Sequence, residues 1–210
     1  MAVSSPSLAI DGASSLVLAS GSRTRADMLR NAGLSIEVTP AAVDEGAVKG
    51  SLSAEGASPE QIADTLAELK AAQISQRAPG ALVLGADQVL DLDGEILDKP
   101  NDMVAAARHL RRLSGCRHQL VSAAVLLKDG QRIWGRTDQA SLVVRTLSDS
   151  FIDRYLGVVG DRALDSVGAY QLEGPGANLF DSVEGDFFTI LGLPLLPLLA
   201  FLRGHGAVHR

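Results

Sequence analysis

The stretch Leu16-Val17-Leu18-Ala19-Ser20-Gly21-Ser22-Arg23-Thr24-Arg25 decides the fold class. Its first four residues are a short apolar run, the pattern of a buried strand. Its last residues open a helix over roughly Arg23 to Asn31, with Ala26, Met28, Leu29 and Ala32 as packing residues and Gly33 as the stop. A strand that feeds a helix through three small residues is the beginning of an α/β unit. A helix N-terminus offers free backbone N–H groups and the positive end of its dipole. Ser20, Ser22, Arg23 and Arg25 add hydroxyls and charge, so the junction suits a phosphate. It is not a Walker A loop, because no Gly-Lys-Ser/Thr follows, and the glycine spacing of a dinucleotide fingerprint is absent.

The segments that follow keep alternating. Leu34 to Thr39 reads as a second strand, and Ala41 to Ala57, rich in Gly, Ser and acid, reads as a mobile loop carrying Asp44 and Glu45. Ser58-Pro59-Glu60-Gln61 is a capping box with proline in the first turn. It starts a helix with Ile62, Leu66 and Leu69 on one face and Lys70 at that face's edge. Ala81 to Leu84 is a buried-strand run ending at Gly85-Ala86-Asp87-Gln88, and Val89 to Leu97 reads as a hairpin with Asp93-Gly94 at its tip. Asp98-Lys99-Pro100 leads into a helix over about Asn101 to Leu113. Leu120 to Lys128 and Ile133 to Val144 are strands joined at Asp129-Gly130, and Ser148 to Leu156 is a short helix. Gly168 to Gly176 is glycine-rich and contains Glu173. Ile190 to Leu202 reads as a core strand followed by a core helix. Its run is broken by Gly192, Pro194 and Pro197 and falls short of the ~20 residues that a membrane span requires. Met1 to Ser15 reads as a flexible tail, and residues 16–205 as a single catalytic domain. The fold expected is α/β, a mixed twisted sheet with flanking helices.

Composition narrows the function. At 210 residues and 46% hydrophobic, the chain has enough apolar material for a sizeable core. A net charge of −6 argues against a nucleic-acid polymer as partner, which would require a basic surface. One cysteine, Cys116, excludes an intramolecular disulfide framework and a cysteine zinc cluster, and the chain reads as cytoplasmic. His109, His118, His205 and His209 share no metal-ligand spacing.

Four groups could carry chemistry. A carboxylate at Asp87, behind three large apolar residues, is half-buried and requires a cation, a metal or donors. Asp44 and Glu45 could hold Mg²⁺, a hard ion that takes oxygen ligands. Lys70 and Lys99 could each reach a phosphate. The Ser20–Arg25 junction is the fourth. Each alone also has an ordinary reading: a turn aspartate, a solvated acidic loop, surface lysines, a serine cap.

Taken in order, these segments resemble the Maf family of nucleoside triphosphate pyrophosphatases. The matching pieces are Leu18-Ala19-Ser20-Gly21-Ser22 with Arg25, Val43-Asp44-Glu45, Leu66-Ala67 with Lys70-Ala71, and Leu84-Gly85-Ala86-Asp87. They continue with Asp98-Lys99-Pro100, Leu113-Ser114-Gly115 with His118, Gly168-Ala169-Tyr170 with Glu173-Gly174, and Glu184-Gly185 with Leu191-Gly192-Leu193-Pro194-Leu195. The resemblance implies two lobes around a central cleft, and cleavage of a nucleoside triphosphate to a monophosphate and pyrophosphate. It implies a divalent metal cation, Mg²⁺ or Mn²⁺, and a cytoplasmic protein with no membrane partner. Members are often dimeric, so a homodimer enters as an expectation. Asp87, Lys70 and Lys99 become the catalytic residues, Glu45 and Asp87 the metal ligands. Ser20, Ser22, Arg25, Gln88 and Glu173 become the substrate-binding residues. The chain departs from the family's usual Ser-Pro-Arg-Arg in having Ser22-Arg23-Thr24-Arg25, with Thr24 at a position tied to base choice.

Gln88 and Glu173 lean the reading toward the family branch that acts on 7-methyl-GTP. A carboxylate only accepts, so Glu173 can take the N1–H and amino group of guanine. Uracil or thymine offers one N–H between two carbonyls. Gln171 could instead supply an amide. The alternatives are a dTTP/UTP pyrophosphatase and a non-catalytic nucleotide-binding regulator of cell division. A pure binder has no use for the Asp44, Glu45 and Asp87 set, which repels an anion unless a metal is present.

Overall fold

Seven strands join one mixed sheet in the computed structural model, which describes residues 15–209. Apart from Ser15, the expected tail lies outside the described residues. Strand β1 (Leu16–Leu18) runs into helix α1 (Arg23–Asn31), and β2 (Ile36–Val38) returns parallel to it. Helices α2 (Glu45–Ala54) and α3 (Pro59–Ser75) precede the long strand β3 (Leu82–Leu92). Then come β4 (Glu95–Leu97), α4 (Met103–Leu113), β5 (Arg117–Lys128), β6 (Gln131–Val144) and α5 (Asp149–Val159). Two 3-10 segments lead to β7 (Phe180–Glu184), α6 (Phe187–Ile190) and α7 (Leu195–His205). The order is β2-β1-β3-β5-β6-β7, with β4 on β3. The two pairings of β1 are parallel and the others antiparallel. Among the described residues no helix is long and apolar enough to cross a membrane.

One irregularity of this sheet makes the site. Strand β5 lines one edge of β3 from Leu82 to Asp91. The other edge carries β1 at Leu82–Leu84 and β4 at Leu90–Leu92. Between them, from Gly85 to Val89, no strand among the described residues pairs with that edge. Side chains from both faces of the sheet converge on this gap. The residues alternate strictly, as in any strand: Val83, Asp87 and Val89 face α3, while Leu82, Leu84, Ala86 and Gln88 face α1, α6 and α7.

Helix α3 packs across β3 and β5 with Ile62, Leu66, Ala67 and Ala71. Gly85 is the condition for that approach. A Cβ there would lie 1.9 Å from the Ala67 carbonyl oxygen and 2.8 Å from the Ala71 nitrogen. With the helix this close, Lys70 reaches Asp87, two residues further along the same face. On the opposite face Leu82, Leu84 and Ala86 meet Leu29 of α1 and Leu198 and Leu202 of α7. Beyond the gap a separate cluster of Leu90, Leu97, Leu110, Leu142 and Ile152 builds the second lobe. Deleting a fully buried side chain such as Leu66 removes about 3 kcal/mol of stability.

The structure corrects three local expectations. Ala41–Ala57 is not a loop: Asp44 caps α2 by accepting from Ala47 N–H at 3.0 Å, and Val48 and Leu52, four apart, pack against the α3 cluster. Gly85–Gln88 is not a strand end but the middle of β3, because Gly85 is there for helix contact rather than for a turn. Ile190–Leu202 contains no strand; its start closes α6, Gly192 turns the chain at φ 102°, and the apolar residues of α7 follow.

Candidate functional site

An open cleft of about 760 Å³ lies over the gap in β3, a size that accommodates a nucleotide. Its lining includes Ser20, Ser22, Arg25, Glu45, Lys70, Asp87, Gln88, Lys99 and Glu173. The nine residues given catalytic, metal or substrate roles in the sequence therefore share one surface, and Asp44 lies outside its lining.

At its floor three charges form a line. Lys70 donates from Nζ to Asp87 Oδ1 at 2.6 Å and to Glu45 Oε1 at 2.7 Å. Lys70 is buried, not at the border of its helix face, and Asp87 is 3% exposed. Asp87 Oδ2 is buried with no hydrogen-bond partner among the described residues. Buried carboxylate oxygens are normally satisfied, so this one is an open valence. Burial alone would lift the Glu45 carboxyl. The hydrogen bond and charge of Lys70, backed by Lys49 and Lys99, outweigh it and hold Glu45 below the usual carboxylate range. Burial lowers the Lys99 pKa, and the nearby Arg25 and Lys70 charges add to the effect. Cations crowded this way are short of a counter-anion.

The Ser20–Arg25 junction forms as a strand-to-helix turn capped by Ser22, and Arg25 takes on a bracing role within it. Ser22 caps α1 by accepting from Arg25 N–H at 3.3 Å. Ser20 Oγ accepts from Ser22 N–H at 3.3 Å and from Arg25 Nη1 at 3.0 Å. Both hydroxyls thus use their oxygens within the protein, which leaves their hydrogens to donate. Arg25 is buried and cross-links the site: Nε donates to Gly192 O at 2.7 Å and Nη1 to Ala86 O at 3.0 Å. It ties α1 to the unpaired edge of β3 and to the turn before α7. Burial lowers its pKa, against the fields of Asp87 and Glu45, and a guanidinium stays charged regardless.

Lys49 was not singled out by sequence. It is buried at the cleft, 2.8 Å from Asp98 Oδ1 and 4.0 Å from Glu45 Oε2. Its signal was the four-residue spacing from Glu45, which means something only once α2 is a helix. Arg162 and Tyr170 also line the cleft without having been named as site residues. Tyr170 Oη lies 2.6 Å from His118 Nε2, which ties the glycine-rich loop carrying Glu173 to β5. Asp44 caps α2 with Oδ1 and lies outside the cleft lining.

The carboxylate pair suits a hard divalent cation. Asp87 presents an unpartnered buried oxygen, and Glu45 presents a second carboxylate to the same lysine. Both are oxygen donors of the type Mg²⁺ and Mn²⁺ prefer. Among the described residues no three His, Cys, Asp or Glu side chains gather around one point, so the protein offers two ligands and not a closed cage. That fits an ion shared with phosphate oxygens.

Known proteins resemble this chain over nearly its whole length. The 7-methyl-GTP pyrophosphatase of Mesorhizobium japonicum is 55% identical, across 92% of this chain and 97% of that protein. The 7-methyl-GTP pyrophosphatase of Brucella abortus is 53% identical across 90% of this chain and 94% of its own. The nucleoside triphosphate pyrophosphatase of Paramagnetospirillum magneticum is 54% identical across 90% of this chain and 98% of its own. Residues 15–205 match the family described as Maf-like protein. With that span and these identities, the chain belongs to the Maf family.

Proposed function

We propose that this chain hydrolyses a nucleoside triphosphate to a nucleoside monophosphate and pyrophosphate, with 7-methyl-GTP preferred. The observation that carries the proposal is the Glu45–Lys70–Asp87 line with its bare, buried Asp87 Oδ2. The relatives named 7-methyl-GTP pyrophosphatase support the choice of substrate.

The chemistry follows from charge. A triphosphate repels a nucleophile until its own charge is offset. Lys70 and Lys99 supply that offset, the N-terminus of α1 with Ser20 and Ser22 supplies neutral donors, and Arg25 holds them in place. Asp87 Oδ2 accepts a proton from the attacking water. The water oxygen bonds to the α-phosphorus, the bond from that phosphorus to the bridging oxygen breaks, and the electron pair leaves with pyrophosphate. The proton passes from Asp87 to solvent. Glu45 and Asp87 are the residues that would hold a divalent cation, which supplies Lewis acidity toward the phosphate oxygens when bound.

Base choice rests on Gln88 and Glu173. Glu173 can only accept, which matches the adjacent N–H and amino donors of guanine, and a methylated, cationic ring is favoured further by its charge.

The test is pyrophosphate release with Mg²⁺ from 7-methyl-GTP, GTP, UTP, dTTP, CTP and ITP, with Asp87→Asn beside the wild type. Turnover led by 7-methyl-GTP and lost in the variant is expected. Binding without pyrophosphate from any of the six, identical in both proteins, overturns the proposal.

A further inference from the structure

Gln88 follows Asp87 on β3 and faces the other way, toward α6. Its amide nitrogen lies 3.0 Å from Ser122 Oγ, 3.1 Å from Thr189 O and 3.0 Å from Ile190 O. The two carbonyls belong to the last turn of α6, where Thr189 O also accepts from Gly192 N–H at 3.0 Å. They can only accept. Ser122 spends its hydroxyl hydrogen on Thr189 O at 2.7 Å, so toward Gln88 it too can only accept. An amide turned by 180° would press its own oxygen against three acceptors. Nitrogen and oxygen of a glutamine are told apart by such partners, and here all three agree. Gln88 lines the cleft, and among the described residues no group donates to its Oε1.

We infer that Ser122 is a positioning residue for base selection. Together with the Thr189 and Ile190 carbonyls it holds the Gln88 amide with its oxygen offered to the base as an acceptor. Ser122 is fully buried on β5, so it acts through Gln88 and not by touching a nucleotide. The inference rests on reading the cleft as a nucleotide site.

An acceptor at Gln88 and an acceptor-only carboxylate at Glu173 make a pocket wall without hydrogens to give. A purine edge with two neighbouring N–H donors suits such a wall. Uracil or thymine, one N–H flanked by two carbonyls, brings oxygen against oxygen. Oxygen set against oxygen at a base edge discriminates more strongly than a missing contact does. The Asp186 cap steadies the arrangement, since its Oδ2 accepts from Thr189 N–H at 2.8 Å and from Thr189 Oγ1 at 3.2 Å.

Two measurements decide the matter. The first needs no turnover. In ¹⁵N-labelled wild-type protein the Gln88 side-chain NH₂, assigned by its loss in Gln88→Met, exchanges slowly with water because both hydrogens are engaged. A fast-exchanging pair places the NH₂ in the cleft and overturns the inference. The second compares kcat/KM for 7-methyl-GTP and UTP. Ser122→Ala lowers the value for 7-methyl-GTP about tenfold more than that for UTP, the size of one hydrogen bond. Ser122→Thr, which keeps the hydroxyl, restores the ratio. An equal loss for both substrates, or a preference left at the wild-type ratio, assigns Ser122 a purely structural role and overturns the inference. A wild-type protein that releases pyrophosphate from no triphosphate overturns the proposed function instead, and the exchange measurement still decides the orientation.

Discussion

Helix α3 carries an ion-pair network on each flank, and the two are built in opposite ways. On the outer flank Arg132 of β6 donates to both oxygens of Asp64, each at 2.8 Å, and to Glu68 at 2.6 Å. All three side chains remain about a third or more exposed, and the hydrogen bonds to Asp64 raise the Arg132 pKa. On the inner flank the buried Lys70 serves two carboxylates, and Asp87 Oδ2 has no partner among the described residues. The outer network spends its lone pairs on its own members in a place where water would have served as well. The inner network keeps a lone pair bare where water is largely excluded. Charge by itself does not mark a site on this molecule. Unfinished charge does.

That contrast can be broken, and the largest effect falls on the bare oxygen. Asp87→Asn keeps the shape and removes the proposed base, so pyrophosphate release is expected to drop by about 10³-fold. A variant with near wild-type turnover would erase the distinction between the two networks. Lys70→Met strands Glu45 and Asp87 without their cation. It lowers activity about 100-fold and stability by about 3 kcal/mol, read as a shift in the urea midpoint.

His118 sharpens the contrast from a second place. It is also buried, and among the described residues its Nδ1 has no partner and it belongs to no ion pair. Burial pushes its imidazole down from 6.5 to about 4. Between those values the unfolded chain holds the proton and the folded chain does not. Stability is therefore complete above pH 6.5 and falls as the pH drops toward 4, by about 3 kcal/mol at most. Denaturant titrations at pH 7, 5.5 and 4.5 read the slope, and His118→Gln flattens it. The smallest effect belongs to the outer flank. Arg132→Ala costs no more than about 1 kcal/mol and leaves pyrophosphate release unchanged. A loss of activity there would show that the outer network also serves the cleft.

Local chemistry was legible from the chain. The capping box Ser58–Gln61 forms with both of its hydrogen bonds. The hairpin tip at Asp93-Gly94 turns with positive φ at both residues, as does Asp129-Gly130. Glu45, Lys70, Asp87 and Lys99 stood out by residue type and order, and they share one cleft. What the chain concealed was non-local. Helix α2 depends on the α3 surface to bury Val48 and Leu52, so its glycines and serines read as loop. Asp87 sits in mid-strand because a helix from elsewhere fills the space above Gly85. Arg25 reads as a phosphate ligand, and the chain does not show that Ala86 O and Gly192 O, 61 and 167 residues away, also take up its Nη1 and Nε donors. Lys49 has only its four-residue spacing from Glu45 as a signal, and Ser122 has no local signature at all. Their meaning lies in what the fold sets beside them.

The gap in β3 has one more consequence. An unpaired strand edge is a template on which another chain can build, and exposed edges are where sheet proteins aggregate. Here the unpaired run is five residues long, hemmed in by β1 and β4, with Arg25 already bonded to the Ala86 carbonyl in its middle. A foreign strand would find too short a ladder with a rung already taken. The same opening that admits a nucleotide therefore refuses a polypeptide, and the protein keeps an interrupted sheet without an adhesive one.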